Sequence, residues 1–486
     1  MMAPVNGPVL LGLALAIPAL VAGLVTILAR KPLWRESATL VGAVLLFGAV
    51  VALLIDVLAG ARPELPLARI APGLDLILRI EPLGMLFALV AATLWIANSV
   101  YSIGYMRGNA EPRQTMFYAA FAVAIAATMG IALAGNLITL FLFYELLSLS
   151  TYPLVAHKQT PEAMRAGRVY LITLIGASMI LLLPAIVWTA FVAGTTDFHA
   201  GGILSGKIGP LAMALLLGLF VFGAAKAAVM PLHRWLPAAM VAPTPVSALL
   251  HAVAVVKAGV FTILKVTVYI FGLETLQANG ASEWLVYVAG FTIIAASLVA
   301  LTADDLKRRL AYSTIGQLSY IVMAAALATP AAIIGAALHI AAHAVSKITL
   351  FFAAGSIYTA EHVTKVSQMD GIGRRMPWTM TAFAVGVLSM IGLPPTAGFL
   401  GKWFMLGGAG AAHSGFAIGV IIISTVLNAA YLVPIVARAF IRPAAGPRKE
   451  APLAMVVALS ATALGTILLF LFPDIPYRLA TALVNG

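Results

Sequence analysis

Fourteen apolar runs, each long enough to cross a bilayer, follow one another along this sequence with only short loops between them. They lie at 8–29, 37–59, 82–105, 115–134, 136–156, 169–193, 209–241, 245–271, 284–302, 310–328, 331–358, 377–408, 415–437 and 452–472. A spanning helix needs roughly 20 apolar residues, so these runs leave almost nothing for a water-soluble domain. Of the 486 residues 62% are apolar and 9% charged, too few charges to coat a globule of this size. The predicted fold is all-α, a polytopic membrane protein of about 14 transmembrane helices. The first run has no basic residue before it and exceeds the apolar core of a signal peptide, so it reads as a retained span.

Basic residues orient the chain, because cytoplasmic loops collect Lys and Arg. Nineteen fall in odd-numbered connections, from Arg30, Lys31 and Arg35 in the first to Arg438, Arg442, Arg448 and Lys449 in the thirteenth. Five, Arg62, Arg69, Arg79, Lys207 and Arg478, lie on the other side with both termini. Both termini are therefore expected on the non-cytoplasmic side of a cell (inner) membrane. Loop placement also accounts for the formal charge of +12 without a nucleic-acid partner. The absence of cysteine excludes disulfides, Cys-ligated iron–sulfur clusters and Cys-rich zinc sites. No Gly-x-Gly-x-x-Gly fingerprint opens a strand–helix unit, and neither cofactor nor metal is expected. The eighteen methionines read as packing residues, since no His/Met cluster accompanies them.

The other five lysines, Lys226, Lys257, Lys265, Lys347 and Lys402, fall inside apolar runs. A charge at the bilayer centre costs roughly 2.5–3.5 kcal/mol on insertion scales, so each needs a partner or a water-filled cavity. Two runs are interrupted, 209–241 around Pro231 and Pro237 and 377–408 at Gly392-Leu-Pro-Pro-Thr-Ala-Gly398, and each break frees carbonyls near a lysine. Lys226 and Lys402 each sit in the fourth helix of a group of five. Since five is odd, the second group enters from the opposite side, as inverted repeats do. The layout predicted is a three-helix segment over 1–110, a first repeat over 111–275, an inverted repeat over 276–440 and a last helix within 441–486.

Glu145 stands mid-run and is expected to pair with Lys226, a couple that small changes in separation can switch between protonation states. His339, His343 and Lys347 recur at i, i+4 and i+8, which puts them on one helix face, either as a proton relay or as polar packing between helices. His251 and Lys257 are six residues apart and face two different neighbours, as a link would. Lys265 lies nearer the outer end, where it either snorkels or joins the relay. The Asp304, Asp305, Lys307, Arg308, Arg309 run reads as an ordinary loop.

Pro231-Leu-His-Arg-Trp-Leu-Pro237, followed by Ala242-Pro-Thr-Pro-Val-Ser-Ala-Leu-Leu-His251 and Val256-Lys-Ala-Gly259, resembles the signature of the proton-translocating antiporter family. That family holds the antiporter-like subunits of complex I, the large Mrp-type Na⁺/H⁺ antiporter subunits and their relatives in membrane-bound hydrogenases. His343-Ala-Val-Ser-Lys347 and Gly398-Phe-Leu-Gly-Lys402 match it too, and the likeness covers roughly residues 110–440. It implies a relay in which Glu145 tunes Lys226, His251 and Lys257 connect, His339, His343 and Lys347 bridge, and Lys402 opens outward. It also implies integral membrane partner subunits, with protons and monovalent cations as cargo. Lysine at 402 and a chain ending soon after the fourteenth run are similar to the D-type member among the large Mrp antiporter subunits. A redox-driven pumping subunit of a complex I-like or hydrogenase-like assembly is the competing reading; a transport-free scaffold gains nothing from five buried lysines. The basic-residue asymmetry predicts that a cytoplasm-dependent reporter fused after Gly486 is silent; strong activity there would reverse the orientation.

Overall fold

The computed structural model describes residues 6–71, 74–443 and 446–485. Twelve of its helices are continuous, long and apolar enough to cross a membrane: Gly7–Ile27, Pro32–Leu58, Pro82–Gly108, Gln114–Ala132, Leu137–Val155, Pro161–Ala193, Thr244–Phe271, Glu283–Thr302, Leu306–Leu327, Pro330–Glu361, Gly415–Ile441 and Leu453–Leu471. Two more spans are split. The seventh comprises Pro210–Gly223 and then Trp235–Ala238 with Ala239–Val241; the twelfth comprises Pro377–Ile391 and Ala397–Ala411. Fourteen spans, two of them discontinuous, are what the sequence predicts. Proline supplies much of the punctuation: Pro32, Pro82, Pro161, Pro210, Pro330 and Pro377 each open a helix, where a missing N–H costs nothing.

Three elements depart from the expected layout. An antiparallel hairpin, β1 (Glu64–Ala71) with β2 (Leu74–Arg79), joins the second and third spans, and Leu78 bridges on to Ala134. Its prolines, arginines and bulge at Pro66/Ala68 mask the strand alternation in the sequence. A short helix, Leu273–Asn279, follows the eighth span. A C-terminal helix, Asp474–Asn485, buries Pro476, Leu479, Ala480 and Leu483 and packs on the third and eleventh spans.

The eighth, tenth and eleventh spans form the centre, and the eighth is buried along its whole length. Glycine sets how closely they approach. A side chain at Gly259 would collide with the backbone of Lys226 and Ala227, and one at Gly335 would meet Met405 N at 2.6 Å and Gly401 O at 2.9 Å. The eighth span also contains a wide turn, Leu249–Val253, closed by Ala254 N donating to Leu249 O at 3.0 Å. Such a turn shifts the helical phase and re-aims His251.

The seventh span breaks earlier than expected. The helix stops after Gly223, which packs against the Leu182 backbone, and Ala228 takes a left-handed φ of 55°, so Lys226 lies within the break and not before it. Pro231 occupies the irregular stretch that follows, and Pro237 lies in the short helix Trp235–Ala238 beyond it. Trp235 closes this break by donating its indole N–H to Ala225 O at 3.1 Å, while Thr292 Oγ1 accepts from Met230 N at 3.3 Å. Ala225 O also accepts from Ala228 N at 2.9 Å, so the indole is its second donor, and one such hydrogen bond contributes about 0.5–1.5 kcal/mol. Trp235→Phe, which keeps an aromatic side chain and removes the donor, should lower the unfolding free energy of the detergent-solubilised protein by about that amount; unchanged stability would mean that the Ala228 N–H alone satisfies the carbonyl.

Candidate functional site

Of the five lysines inside the spans, four are wholly inaccessible and Lys402 is 6% exposed. Lys226, Lys257 and Lys347 are met by other spans, Lys265 by Glu81 and Ala134 at span ends, and Lys402 by the first half of its own broken span. In the break, the Lys226 ammonium donates to Tyr144 O at 2.8 Å and lies 3.1 Å from the centre of the Tyr144 ring, and its backbone N–H donates to the Tyr144 hydroxyl at 3.3 Å. The expected ion pair with Glu145 is not formed. Lys226 takes the carbonyl of the preceding residue instead, and both Glu145 oxygens lack a hydrogen-bond partner. The wound-out backbone at 224–228 brings Nζ alongside the fifth span at Tyr144, one residue short of the carboxylate.

On the eighth span His251 turns to the tenth and Lys257 to the eleventh, so the two do face different neighbours. The Thr314 hydroxyl donates to Leu310 O at 2.9 Å, so at 3.0 Å it accepts from His251 Nδ1–H, leaving Nε2 bare. Leu310 O also accepts from Lys347 Nζ at 3.2 Å, and Ser313 Oγ accepts from it at 2.8 Å. His251 and Lys347 thus meet through one carbonyl. Lys257 Nζ contacts His343 Nδ1 directly.

The eleventh span places His339, His343 and Lys347 on one buried face, with the two imidazole centres 6.1 Å apart. His339 Nε2 is 2.9 Å from Gln317 Oε1, whose amide nitrogen donates to Met390 O at 3.2 Å. Met390 O also accepts from Lys402 Nζ at 3.2 Å, as Ile391 O does at 2.9 Å. Those two carbonyls end the first half of the twelfth span, where Gly392 takes φ 90°. Tyr320 lies under Lys402, 5.0 Å away. Gly401 is needed for this meeting, since a Cβ there would sit 2.9 Å from His339 Nδ1.

The charged residues of the sequence do not reveal the part played by the tenth span. Leu310 O, Ser313, Thr314, Gln317 and Tyr320 form a polar spine touching His251, Lys347, His339 and Lys402. Its signal is Ser313, Gln317 and Tyr320 at i, i+4 and i+7 in an apolar helix. Glu81 is equally inconspicuous, yet it binds Lys265 Nζ at 2.5 Å, so Lys265 is buried and paired and does not snorkel.

A cavity of about 360 Å³ opens on the face of the odd-numbered loops, lined by Tyr105, Lys158, Thr244, Asp305, Lys307 and Tyr358. Thr244, Ser247 and His251 continue inward from it on one helix face. The loop there is more than solvated charge: Lys307 Nζ donates to Ala242 O at 2.6 Å and Arg309 to Tyr431 O at 2.9 Å. Burial, aided by the Arg113 guanidinium, pushes His157 down to about 4, so it is neutral beside Glu111, 3.8 Å away. Burial raises Glu111 against the opposing Lys158 and Lys307.

A family model described as NADH:quinone oxidoreductase/Mrp antiporter, TM, matches residues 134–428. The chain is 31% identical over 425 residues to NADH-quinone oxidoreductase subunit N of Desulforudis audaxviator, covering 83% of each. It is 32% identical to Hydrogenase-4 component B of Escherichia coli over 69% of this chain and 52% of that protein, so it spans about half of that relative's length. Among solved structures, a chain of the Mrp complex from Dietzia sp. superposes with TM-score 0.86 at 21% identity over 98% of this chain and 97% of that one, which shows the fold.

Thr314 joins two of these buried stations while carrying no charge. Thr314→Val, close in shape, should leave the protein inserted but reduce ion transport at least tenfold; a wild-type rate would exclude the His251–Leu310–Lys347 link from the path.

Proposed function

This chain belongs to the NADH:quinone oxidoreductase/Mrp antiporter transmembrane family, and on that premise we propose that it is the proton-translocating subunit of a cation/proton antiporter complex, exchanging Na⁺ against H⁺. The observation that carries the reading is the run of buried amines and imidazoles from one helix break to the other. Protons pass along Glu145, Lys226, His251, Lys257, Lys347, His343, His339 and Lys402, with Thr314, Ser313 and Gln317 as neutral couplers. Residues 111–275 and 276–440 act as inverted halves, each contributing one break, and the segments 1–110 and 441–486 flank them. Both termini face away from the cytoplasm, so the 360 Å³ cavity is the cytoplasmic approach and Lys402 the outward one. The chain moves ions and performs no bond-making chemistry itself; its partners are other integral membrane subunits.

One observation favours a second reading. The 83% mutual overlap with a quinone oxidoreductase subunit supports a pump powered by electron transfer elsewhere in the assembly. The native complex, reconstituted into proteoliposomes with an imposed pH gradient, separates the two. Addition of Na⁺ should collapse the gradient, and Lys347→Ala should abolish that response while the variant still inserts and assembles. Proton movement indifferent to Na⁺ but dependent on a quinone reductant would select the second reading, and normal exchange by Lys347→Ala would return the histidine–lysine face to packing.

A further inference from the structure

Among the described residues, ion pairs other than Lys265–Glu81 use arginine or the neutral His157. The pairs that tie elements together, Arg107 with Glu36 and Arg375 with Glu361, follow the usual choice for a permanent tie, because guanidinium does not give up its proton in proteins. At position 265 a lysine does the corresponding job, and a lysine can give up its proton. Its ammonium is enclosed: Glu81 Oε1 lies at 2.5 Å, Ala134 O accepts at 2.7 Å, and the Phe198 ring centre is 4.2 Å away. Outward from it the charges form a ladder of rising exposure. The side chains of Lys265 and Glu81 are 0% and 9% exposed, and those of Arg79 and Glu64, 2.6 Å apart, are 27% and 39% exposed.

Inward, Lys265 lies eight residues beyond Lys257 on the same buried span, about 12 Å at 1.5 Å per residue. Phe261 fills the interval, packed at 4.9 Å on Phe87 of the third span, the span that Glu81 opens. The pair therefore caps an apolar plug between the central lysine and the hairpin face. A mechanical tie alone explains neither the choice of lysine nor the ladder of charge leading to water.

We propose that Glu81 and Lys265 form a second outer-face proton-exchange station of the relay, serving the first repeat as Lys402 serves the second. The inference rests on the relay reading above. In the step, the Lys265 ammonium passes a proton to the Glu81 carboxylate, turning the ion pair into a neutral amine and a carboxylic acid. Glu81 then releases that proton past Arg79 and Glu64 to the outer water, and Lys265 is reprotonated from the Lys257 side when the Phe87/Phe261 contact opens. Charged and titratable groups around the pair are Arg79, Arg62 and Glu64 from the hairpin segment and Tyr269 from the end of the eighth span, whose carbonyl accepts from His199 N in the neighbouring loop.

Lys265→Arg discriminates most sharply, because arginine preserves or strengthens a tie but abolishes a station. In the reconstituted native complex it should cut exchange at least tenfold while assembly stays normal. A wild-type rate with a wild-type pH profile overturns the proposal. If the larger side chain prevents folding, Glu81→Gln answers the question through pH dependence: the profile measured by varying pH on the outer side should shift while that from the cytoplasmic side stays in place. Identical profiles on both sides also overturn it. Lys347→Ala, run in parallel, tests the relay itself, so an inactive Lys347→Ala beside a normal Lys265→Arg sinks only the outer-station proposal.

Discussion

A lysine side chain held inside the membrane by main-chain carbonyls is the interaction on which the rest of this structure depends. Lys226 donates to Tyr144 O, Lys347 to Leu310 O, and Lys402 to Met390 O and Ile391 O; Lys265, which also donates to Ala134 O, is the one that has a carboxylate partner, Glu81. A carboxylate partner stabilises a lysine mainly as ammonium, whereas a carbonyl accepts from ammonium and neutral amine alike. Carbonyl solvation therefore places an amine in hydrocarbon without fixing its charge. The broken twelfth span supplies two such acceptors at its first half's end, and the broken seventh lets Lys226 reach across to one.

Meeting those carbonyls requires backbones to come closer than ordinary side chains allow. Gly259 admits the Lys226 turn against the eighth span, and Gly335 and Gly401 admit the second half of the twelfth against the eleventh. Small residues at membrane helix contacts do this generally, because lipid offers no hydrophobic drive between helices. Here the close approach has a second effect: Gln317 of the tenth helix reaches His339 with its amide oxygen and, with its amide nitrogen, the Met390 carbonyl that also accepts from Lys402. The same glycines thus set the packing and the meeting of the groups assigned to the proposed relay.

Much of the fold is legible in the sequence because hydrocarbon thickness imposes its period on it. All fourteen spans and both discontinuous ones follow from apolar runs and proline–glycine punctuation. The hairpin is not legible, since Glu64–Arg79 mixes prolines and arginines and gains order by pairing, including Leu78 with Ala134. Charged stations stand out against apolar runs, so Lys226, Lys257, Lys347 and Lys402 are conspicuous; their partners are not. Tyr144, Thr314 and Gln317 are ordinary in composition and become informative only where three helices meet. Pairing Glu145 with Lys226 by depth alone overlooks that an unwound segment displaces an amine sideways, and Glu81, at a helix start, looks interfacial until the hairpin covers it.

The network also has a polarity. His251 presents Nδ1–H to Thr314 and a bare Nε2, and where Lys257 donates as ammonium to His343 Nδ1, the proton of neutral His343 sits on Nε2. In the relay proposed above, a proton entering His343 from Lys257 arrives at Nδ1, and the one released leaves from Nε2. Passage leaves the imidazole as the opposite tautomer, facing a lysine that has lost its proton. The ring cannot accept a second proton by the same route until it flips or returns the first. One transit thus primes the site against immediate repetition, and the reset is a side-chain motion within a core that glycine contacts pack tightly. On that proposed relay, any process that moves the eleventh span against the eighth or tenth would govern the reset and would give an ion or a partner subunit acting elsewhere a mechanical hold on proton flow. Coupling of this kind needs no direct contact between cargo ion and proton path; it needs buried groups whose protonation is left undecided by their partners, which is the condition that carbonyl solvation creates.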